Sequence, residues 1–327
     1  MSTPLIVMVV LAVIFDFLNG IHDSSNIVAT MISSRAFSPR VALGVTAIAE
    51  FSGPFIFGVA VATTIGHEVV VAETITLNIL LAALTSAIIW NILTWFLGIP
   101  SSSSHALIGG LIGAVAFSAG LKAILFSGLE KILIALFLSP ILGLLLGYLF
   151  TRLIFFLARG ATPSINIFFR RSQILTAIAL ALSHGTNDAQ KTMGIITLGL
   201  VTAGVIPSFE VPFWVITISA GAIALGTAFG GWRLIRTLGA KFFRIRPVHG
   251  FSSQFTSAFV ILGASIIGGP VSTTQVVSSA IMGVGSAERV NMVRWGVAKD
   301  IMVAWLVTIP ATAGIAAGAY WLIEKFF

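Results

Sequence analysis

A polar run with an acid at its centre interrupts apolar sequence twice, at Gly20-Ile21-His22-Asp23-Ser24-Ser25-Asn26 and at His184-Gly185-Thr186-Asn187-Asp188-Ala189-Gln190-Lys191. Setting Asp23 on Asp188, an offset of 165 residues, also places Gly20 on Gly185, His22 opposite Asn187 and Asn26 opposite Lys191. An ionisable group at membrane depth is costly and marks a functional site by default. Two such groups at matching places in the two halves of one chain point to a shared site, around which the fold must close.

The surroundings are those of a membrane. Of 327 residues, 57% are hydrophobic and 9% charged, where a soluble domain has roughly 25% charged. The apolar excess runs the whole length, which implies an all-α polytopic membrane protein rather than a soluble domain with an anchor. The apolar start lacks a basic n-region and leads straight into the first polar run, so it reads as mature sequence rather than a cleaved signal. There are no cysteines, which excludes disulfides, thiolate catalysis and thiolate metal sites. The net charge of +7 fits basic cytoplasmic loops better than nucleic-acid binding.

Apolar segments run over 4–32, 41–63, 76–97, 104–119 and 132–157, then 173–204, 212–230, 254–268, 275–286 and 300–323. A spanning helix needs about 20 residues. The first and sixth segments are long enough for two half-helices each, and 104–119, 254–268 and 275–286 are short. The expectation is about 10–12 helical elements, some broken or re-entrant. The halves are 1–157 and 173–327, joined by a basic cytoplasmic linker over 158–172.

Loop charge orients them. Arg35 and Arg40 follow the first polar run, and Arg159, Arg170 and Arg171 lie in the linker. The 231–253 loop holds Arg233, Arg236, Lys241, Arg244 and Arg246, and Arg289, Arg294 and Lys299 come later. The 64–75 loop carries Glu68 and Glu73, and the 205–211 loop Glu210, with no basic residue in either. Basic loops belong in the cytoplasm. Ten crossings then alternate with both termini outside, the poorest fit being 120–131 with Lys122 and Lys131. The loop after one polar run is inside and the loop after the other outside, so the halves are inverted. Inverted repeats with broken helices point to a secondary transporter.

A second motif pair supports the duplication. Gly98-Ile99-Pro100-Ser101-Ser102-Ser103-Ser104-His105 matches Gly269-Pro270-Val271-Ser272-Thr273-Thr274-Gln275 when Pro100 is set on Pro270. Proline followed by hydroxyl residues is a helix start. A helix N-terminus offers free N–H groups and the positive dipole end to an anion, and hydroxyls can donate to its oxygens. Two such starts could grip a tetrahedral oxyanion from opposite sides. The plainer alternative is that these small residues cap or pack helices.

Asp23 and Asp188 would repel an anion in a low dielectric. Either they carry protons, or cations lie between them and the substrate. Na⁺ would sit among Asp23, Asn26, Asn187 and Asp188. Gln190 can add a neutral oxygen, and Lys191 can pair with Asp188 or attract the anion. His22, His105 and His184 could relay protons or bond a helix backbone. Glu50 is the further coupling-ion candidate, without an acidic counterpart in the second half, and Asp16 and Asp300 also fall in or near apolar segments.

At these residues the chain resembles the inorganic phosphate transporter (PiT) family, in its short bacterial form, over essentially its whole length. The stretches Asn19 to Asn26, Gly98 to His105, Ser183 to Lys191 and Gly269 to Thr274 carry the resemblance, with Gly226 to Trp232 and Ile245 to Val248. It implies an inverted-repeat fold in the cell membrane, uptake of inorganic phosphate with a cation, and a homodimer. It implies that Ser103, Ser104, Thr273 and Thr274 contact phosphate; the motifs read as residues add Ser102, Ser272, Asp23, Asp188, Gln190 and Lys191 as candidates for that site. By the resemblance the coupling ion would fall to the Asp and Asn residues of the first motif pair, Asp23, Asn26, Asn187 and Asp188, to which the residues themselves add His22 and Glu50; no cofactor is expected. Two positions depart from the pattern: Gln275 where the motif often ends in His, and His22 where sodium-coupled members carry Asn. The second favours proton coupling. Some relatives carry sulfate instead.

Two other classes compete. A channel needs a continuous polar pore, whereas the polar residues cluster in two motif pairs. An intramembrane hydrolase could use Ser104 with His105, or Asp188 with His184, but its chemistry would not require both halves.

Overall fold

In lipid every backbone polar group must be satisfied within the chain, which favours helices. The computed structural model describes residues 2–68, 74–232, 235 and 244–326, and among these the regular structure is helical. The α-helices are α1 (Thr3–Ser33), α2 (Pro39–Phe57), α3 (Ala60–Glu68), α4 (Leu77–Leu97), α5 (Ser103–Ser118), α6 (Phe126–Leu157), α7 (Ile165–Thr202), α8 (Phe213–Phe229), α9 (Pro247–Ile266), α10 (Thr273–Glu288) and α11 (Trp295–Phe326). Helices α1, α2, α4, α6, α7 and α11 are long and apolar enough to cross a membrane. The outer surface is apolar, with Ile48, Phe96, Ile141, Leu175, Phe259 and Leu306 all facing outward.

The interior is layered. A first apolar core takes Leu5, Met8, Ala12 and Phe15 from the start of α1 and Met193 to Leu200 from the end of α7. A second takes Ile27 to Met31 from the end of α1 and Ala177, Leu180 and Ala181 from the start of α7. The two polar runs lie between the cores, and α1 and α7 are antiparallel. Their matching places in the two halves make the repeats inverted.

The sequence predicts breaks inside the two acid-bearing segments. The structure instead carries α1 and α7 through the motifs as continuous helices. Neither run contains proline, and their side chains find partners on other helices, so the backbone has no cause to unwind. The breaks fall at the hydroxyl motifs. Gly98 (φ +68) and Gly268 (φ +75) end the preceding helices in the left-handed region, which glycine adopts without strain. Pro100 and Pro270 follow. Ser102 then caps α5 by accepting from the His105 N–H at 3.2 Å, and Ser272 caps α10 by accepting from the Gln275 N–H at 3.4 Å.

Helices α5 and α10 have 16 residues each, about 24 Å of rise, and both start in the polar layer. Helix α5 runs back into the first core beside α4, and α10 into the second beside α9. The expected pairs of crossings are therefore two re-entrant hairpins entering from opposite sides. A hairpin returns to the side it left, so the alternation of loop charge survives. Arg35, Arg159, Arg246, Arg289 and Arg294 lie on loops beside the second core, and Glu210 on a loop beside the first. Both termini share the first-core side, since α11 ends there at Ala316 and Tyr320. Glu73, Arg233, Arg236 and Lys241 lie outside the described residues.

Two boundaries differ from the sequence reading. Helix α7 begins at Ile165, so Arg170 and Arg171 are helical and the linker shrinks to 158–164. The 41–63 segment is split at Gly58, which ends α2. The halves interlock rather than sit side by side: α1 packs on α8 and α7 on α2, while α5 packs on α11 and α10 on α6. Each pair becomes the other when the halves are exchanged.

Candidate substrate and cation site

Close approach of α1 to α8, and of α7 to α2, sets the polar runs face to face. A Cβ on Gly20 would stand 2.1 Å from the Ile223 carbonyl oxygen, and one on Gly185 2.2 Å from that of Glu50. Only glycine allows backbones so near. The acids one turn later, Asp23 and Asp188, then meet the N-terminus of α10, and Lys191 links Asp188 to that of α5; all of these side chains are buried.

Thr273, in the first turn of α10, joins the two acids. Its hydroxyl donates to Asp188 Oδ2 at 2.8 Å and lies 3.4 Å from Asp23 Oδ2. Thr274 donates to Asp23 Oδ1 at 2.9 Å and accepts from Asn26 Nδ2 at 3.0 Å. On α5, Ser103 donates to Asn19 Oδ1 at 2.5 Å, and Ser104 Oγ accepts from Lys191 Nζ at 2.5 Å. The Lys191 ammonium also bonds Asp188 Oδ1, and reaches the Val271 carbonyl at 2.8 Å. Of the sequence-predicted hydroxyls, Ser104, Thr273 and Thr274 thus join Asp23, Asp188 and Lys191 in one cluster drawn from both halves.

His184 stands among three carboxylates. Its Nε2 is 3.1 Å from Asp188 Oδ2 and 3.6 Å from Asp23 Oδ2, and its Nδ1 is 2.7 Å from Glu50 Oε1. These are ion-pair distances off hydrogen-bond directions. Ligand atoms of Asp23, His184 and Asp188 lie within 4.8 Å of one another, close enough to hold one cation. An imidazolium could donate toward carboxylates on both sides, a neutral ring on one. Glu50 reaches the cluster through this ring.

Several predicted residues stand elsewhere. Ser102 and Ser272 are helix caps, each hydroxyl oxygen accepting from the backbone N–H three residues on, and Ser102 Oγ also lies 2.7 Å from His105 Nδ1. Gln190 is removed from the acids: it accepts from the Val61 and Ala62 N–H groups at 2.7 and 3.2 Å and donates to the Gly58 carbonyl. These three bonds close the α2–α3 break. Asn187 donates to Ser265 Oγ at 2.8 Å and to the Gly269 carbonyl at 3.2 Å, bracing the end of the α9 hairpin arm. His22 Nδ1 lies 3.0 Å from Asp23 Oδ1. His105 and Gln275, equivalent in the repeat, meet at 3.3 Å.

One residue, Asn19, was missed as a site member, and His184, singled out as a proton relay, is tied to the acids more closely than that reading gave. Asn19 carried no acid or repeat signal beyond standing opposite His184. The place of His184 between acids is legible in part, four residues before Asp188 on one helix face. Asp16, also buried, accepts from Thr192 at 2.5 Å, two turns from the cluster along α1.

Chemically, the site presents two carboxylates and an imidazole beside the N-termini of two helices. The hydroxyls and helix dipoles suit an oxyanion. The carboxylates suit a cation beside it.

The model of the phosphate transporter family matches the chain in two successive stretches, residues 19–165 and 158–316. A probable low-affinity inorganic phosphate transporter of Bacillus subtilis is 44% identical over 326 residues, 98% of each chain. One of the same description from Rhizobium meliloti is 44% identical over 327 residues, covering 99% of this chain and 98% of its own. Among solved structures, one described as the sodium-dependent phosphate transporter superposes with a TM-score of 0.90 at 27% identity, over 100% of both chains.

Proposed function

The chain belongs to the phosphate transporter family, and on that premise we propose that it is a cation-coupled symporter that carries inorganic phosphate into the cell by alternating access. The observation that carries this reading is that the first turns of the two hairpin helices meet at one buried site: Thr273 and Thr274 of α10 donate to Asp188 and Asp23, and Ser104 of α5 is tied to Asp188 through Lys191. Phosphate takes the hydroxyls and helix ends. The coupling cation, Na⁺ or H⁺, takes Asp23 and Asp188, which would otherwise repel the substrate. His184 and Glu50 hold these acids in place. The name of the structural neighbour favours sodium, and the imidazole among the acids favours protons.

The basic second-core side faces the cytoplasm, which leaves both termini outside the cell membrane. The reading includes a homodimer, as the family resemblance implies, and no enzymatic step.

Labelled-phosphate uptake into proteoliposomes, with Na⁺ and pH gradients imposed separately and sulfate as competitor, tests it. Concentrative phosphate uptake under either gradient supports symport and identifies the ion. Sulfate uptake without phosphate uptake would sink the substrate assignment.

A further inference from the structure

In the second half Lys191 stands where the first half has Asn26, and the two residues meet equivalent partners. Asn26 Nδ2 donates to Thr274 Oγ1 at 3.0 Å, and Lys191 Nζ to Ser104 Oγ at 2.5 Å. Thr274 and Ser104 are themselves repeat equivalents. The Lys191 ammonium has two further partners, an oxygen of Asp188 and the Val271 carbonyl at 2.8 Å. Its three hydrogens therefore each have a protein oxygen. Carboxylate, hydroxyl and backbone carbonyl make up the donor set by which proteins hold a hard cation. The first half offers the same kinds of oxygen around Asp23 and Thr274, and there the buried Asn26 Oδ1 has no hydrogen-bond partner.

We propose that Lys191 is a tethered cation: its ammonium permanently fills the second-half socket formed by Asp188, Ser104 and Val271, leaving exchangeable coupling ions to the first-half acid and its neighbours. The proposal rests on the transport reading and sharpens it. Lys191 reaches across from α7 to the first turn of α5 and to the strap before α10, so the charge it supplies is fixed in the carrier and needs no ion from outside. It does not contact phosphate as a ligand. It neutralises Asp188 in every turnover, and so lowers by one the number of cations that must enter with each anion.

The test replaces Lys191 with Asn, which restores the first-half residue and supplies an oxygen, and with Met, which keeps the stem and supplies no oxygen ligand for a hard cation. In proteoliposomes at fixed pH, Lys191→Asn should take up one more Na⁺ with each phosphate than the wild type does. The charge moved per phosphate, read from reversal potentials, should rise by one elementary charge. Lys191→Met should show neither gain. In detergent, raising Na⁺ should increase the unfolding temperature of Lys191→Asn more steeply than that of the wild type, because a ligand bound only to the folded state stabilises it in proportion to the logarithm of its concentration. Unchanged cation dependence and charge per phosphate in Lys191→Asn, with only weaker phosphate affinity, would overturn the proposal and make Lys191 a phosphate ligand. An equal Na⁺ response of wild type and variant in the unfolding experiment would also overturn it. That readout needs no transport, so it judges the socket even where wild-type vesicles take up no phosphate, an outcome that counts against the transport reading alone.

Discussion

At Gly20, α1 lies against the Ile223 carbonyl of α8; at Gly185, α7 lies against the Glu50 carbonyl of α2. The two crossings are copies of one another, yet the residues set on them differ in charge. Around the first stand Asn19, Asp23 and Asn26, facing the apolar Ile223. Around the second stand His184, Asp188 and Lys191, facing Glu50. In the first half Asp23 stands among the amides of Asn19 and Asn26 and the His22 ring, whereas in the second Asp188 is already paired with the Lys191 ammonium. The shared backbone places the helix starts symmetrically for the anion. The unequal side chains make the cation side one-sided, which a strictly two-fold site could not be.

The largest effect should come from removing an acid on the charged side. Asp188→Asn leaves the Lys191 ammonium buried without its carboxylate, which costs about 3–5 kcal/mol for a broken buried pair. Uptake should vanish and the unfolding temperature should fall sharply. Asp23→Asn should abolish uptake with a much smaller loss of stability, because its nearest hydroxyl partner, Thr274, can still bond an amide oxygen. Equal thermal losses would mean that the halves are not electrostatically distinct.

Glycine substitutions probe what the halves share. Gly20→Ala and Gly185→Ala should each destabilise by about 1–3 kcal/mol, the usual cost of overpacking, and by similar amounts in chemical or thermal unfolding. A large difference between them would break the scaffold equivalence. Glu50→Gln makes the second crossing resemble the first. Uptake should drop about tenfold at saturating phosphate, the lower end for losing a group that orients a ligand, with KM for phosphate little changed. A change confined to KM would place Glu50 at the substrate instead. The smallest effect is expected for Gln275→His, which only makes the contact with His105 symmetric. Stability and uptake should both stay close to those of the wild type.

Much of this was legible because the signals are local. The offset between Asp23 and Asp188, the Pro100 and Pro270 starts, and the alternating loop charge all lie in neighbouring sequence and follow from covalent geometry and solvation. What sequence missed depends on distant partners. Continuity of α1 and α7 follows from hydrogen bonds that Asp23 and Asp188 receive from α10, some 250 and 85 residues away. Gln190 looked like a site residue by its motif, and its true partners, Gly58 and Val61, lie about 130 residues earlier. The bridge from Glu50 through His184 joins two residues that sequence singled out separately. The break at Gly58 left one cue, glycine close after Pro54, in a segment otherwise long enough to cross.

The interlocking of α1 with α8, α7 with α2, α5 with α11 and α10 with α6 has a consequence for the chain as a piece of genetic material. Neither half owns a complete interior; each leaves its small-residue faces open for the other. Cutting the polypeptide within 158–164 would therefore yield two fragments that are each insoluble as a fold yet complementary as a pair. Expressed together in one cell they should assemble into a working protein, and expressed singly they should be degraded.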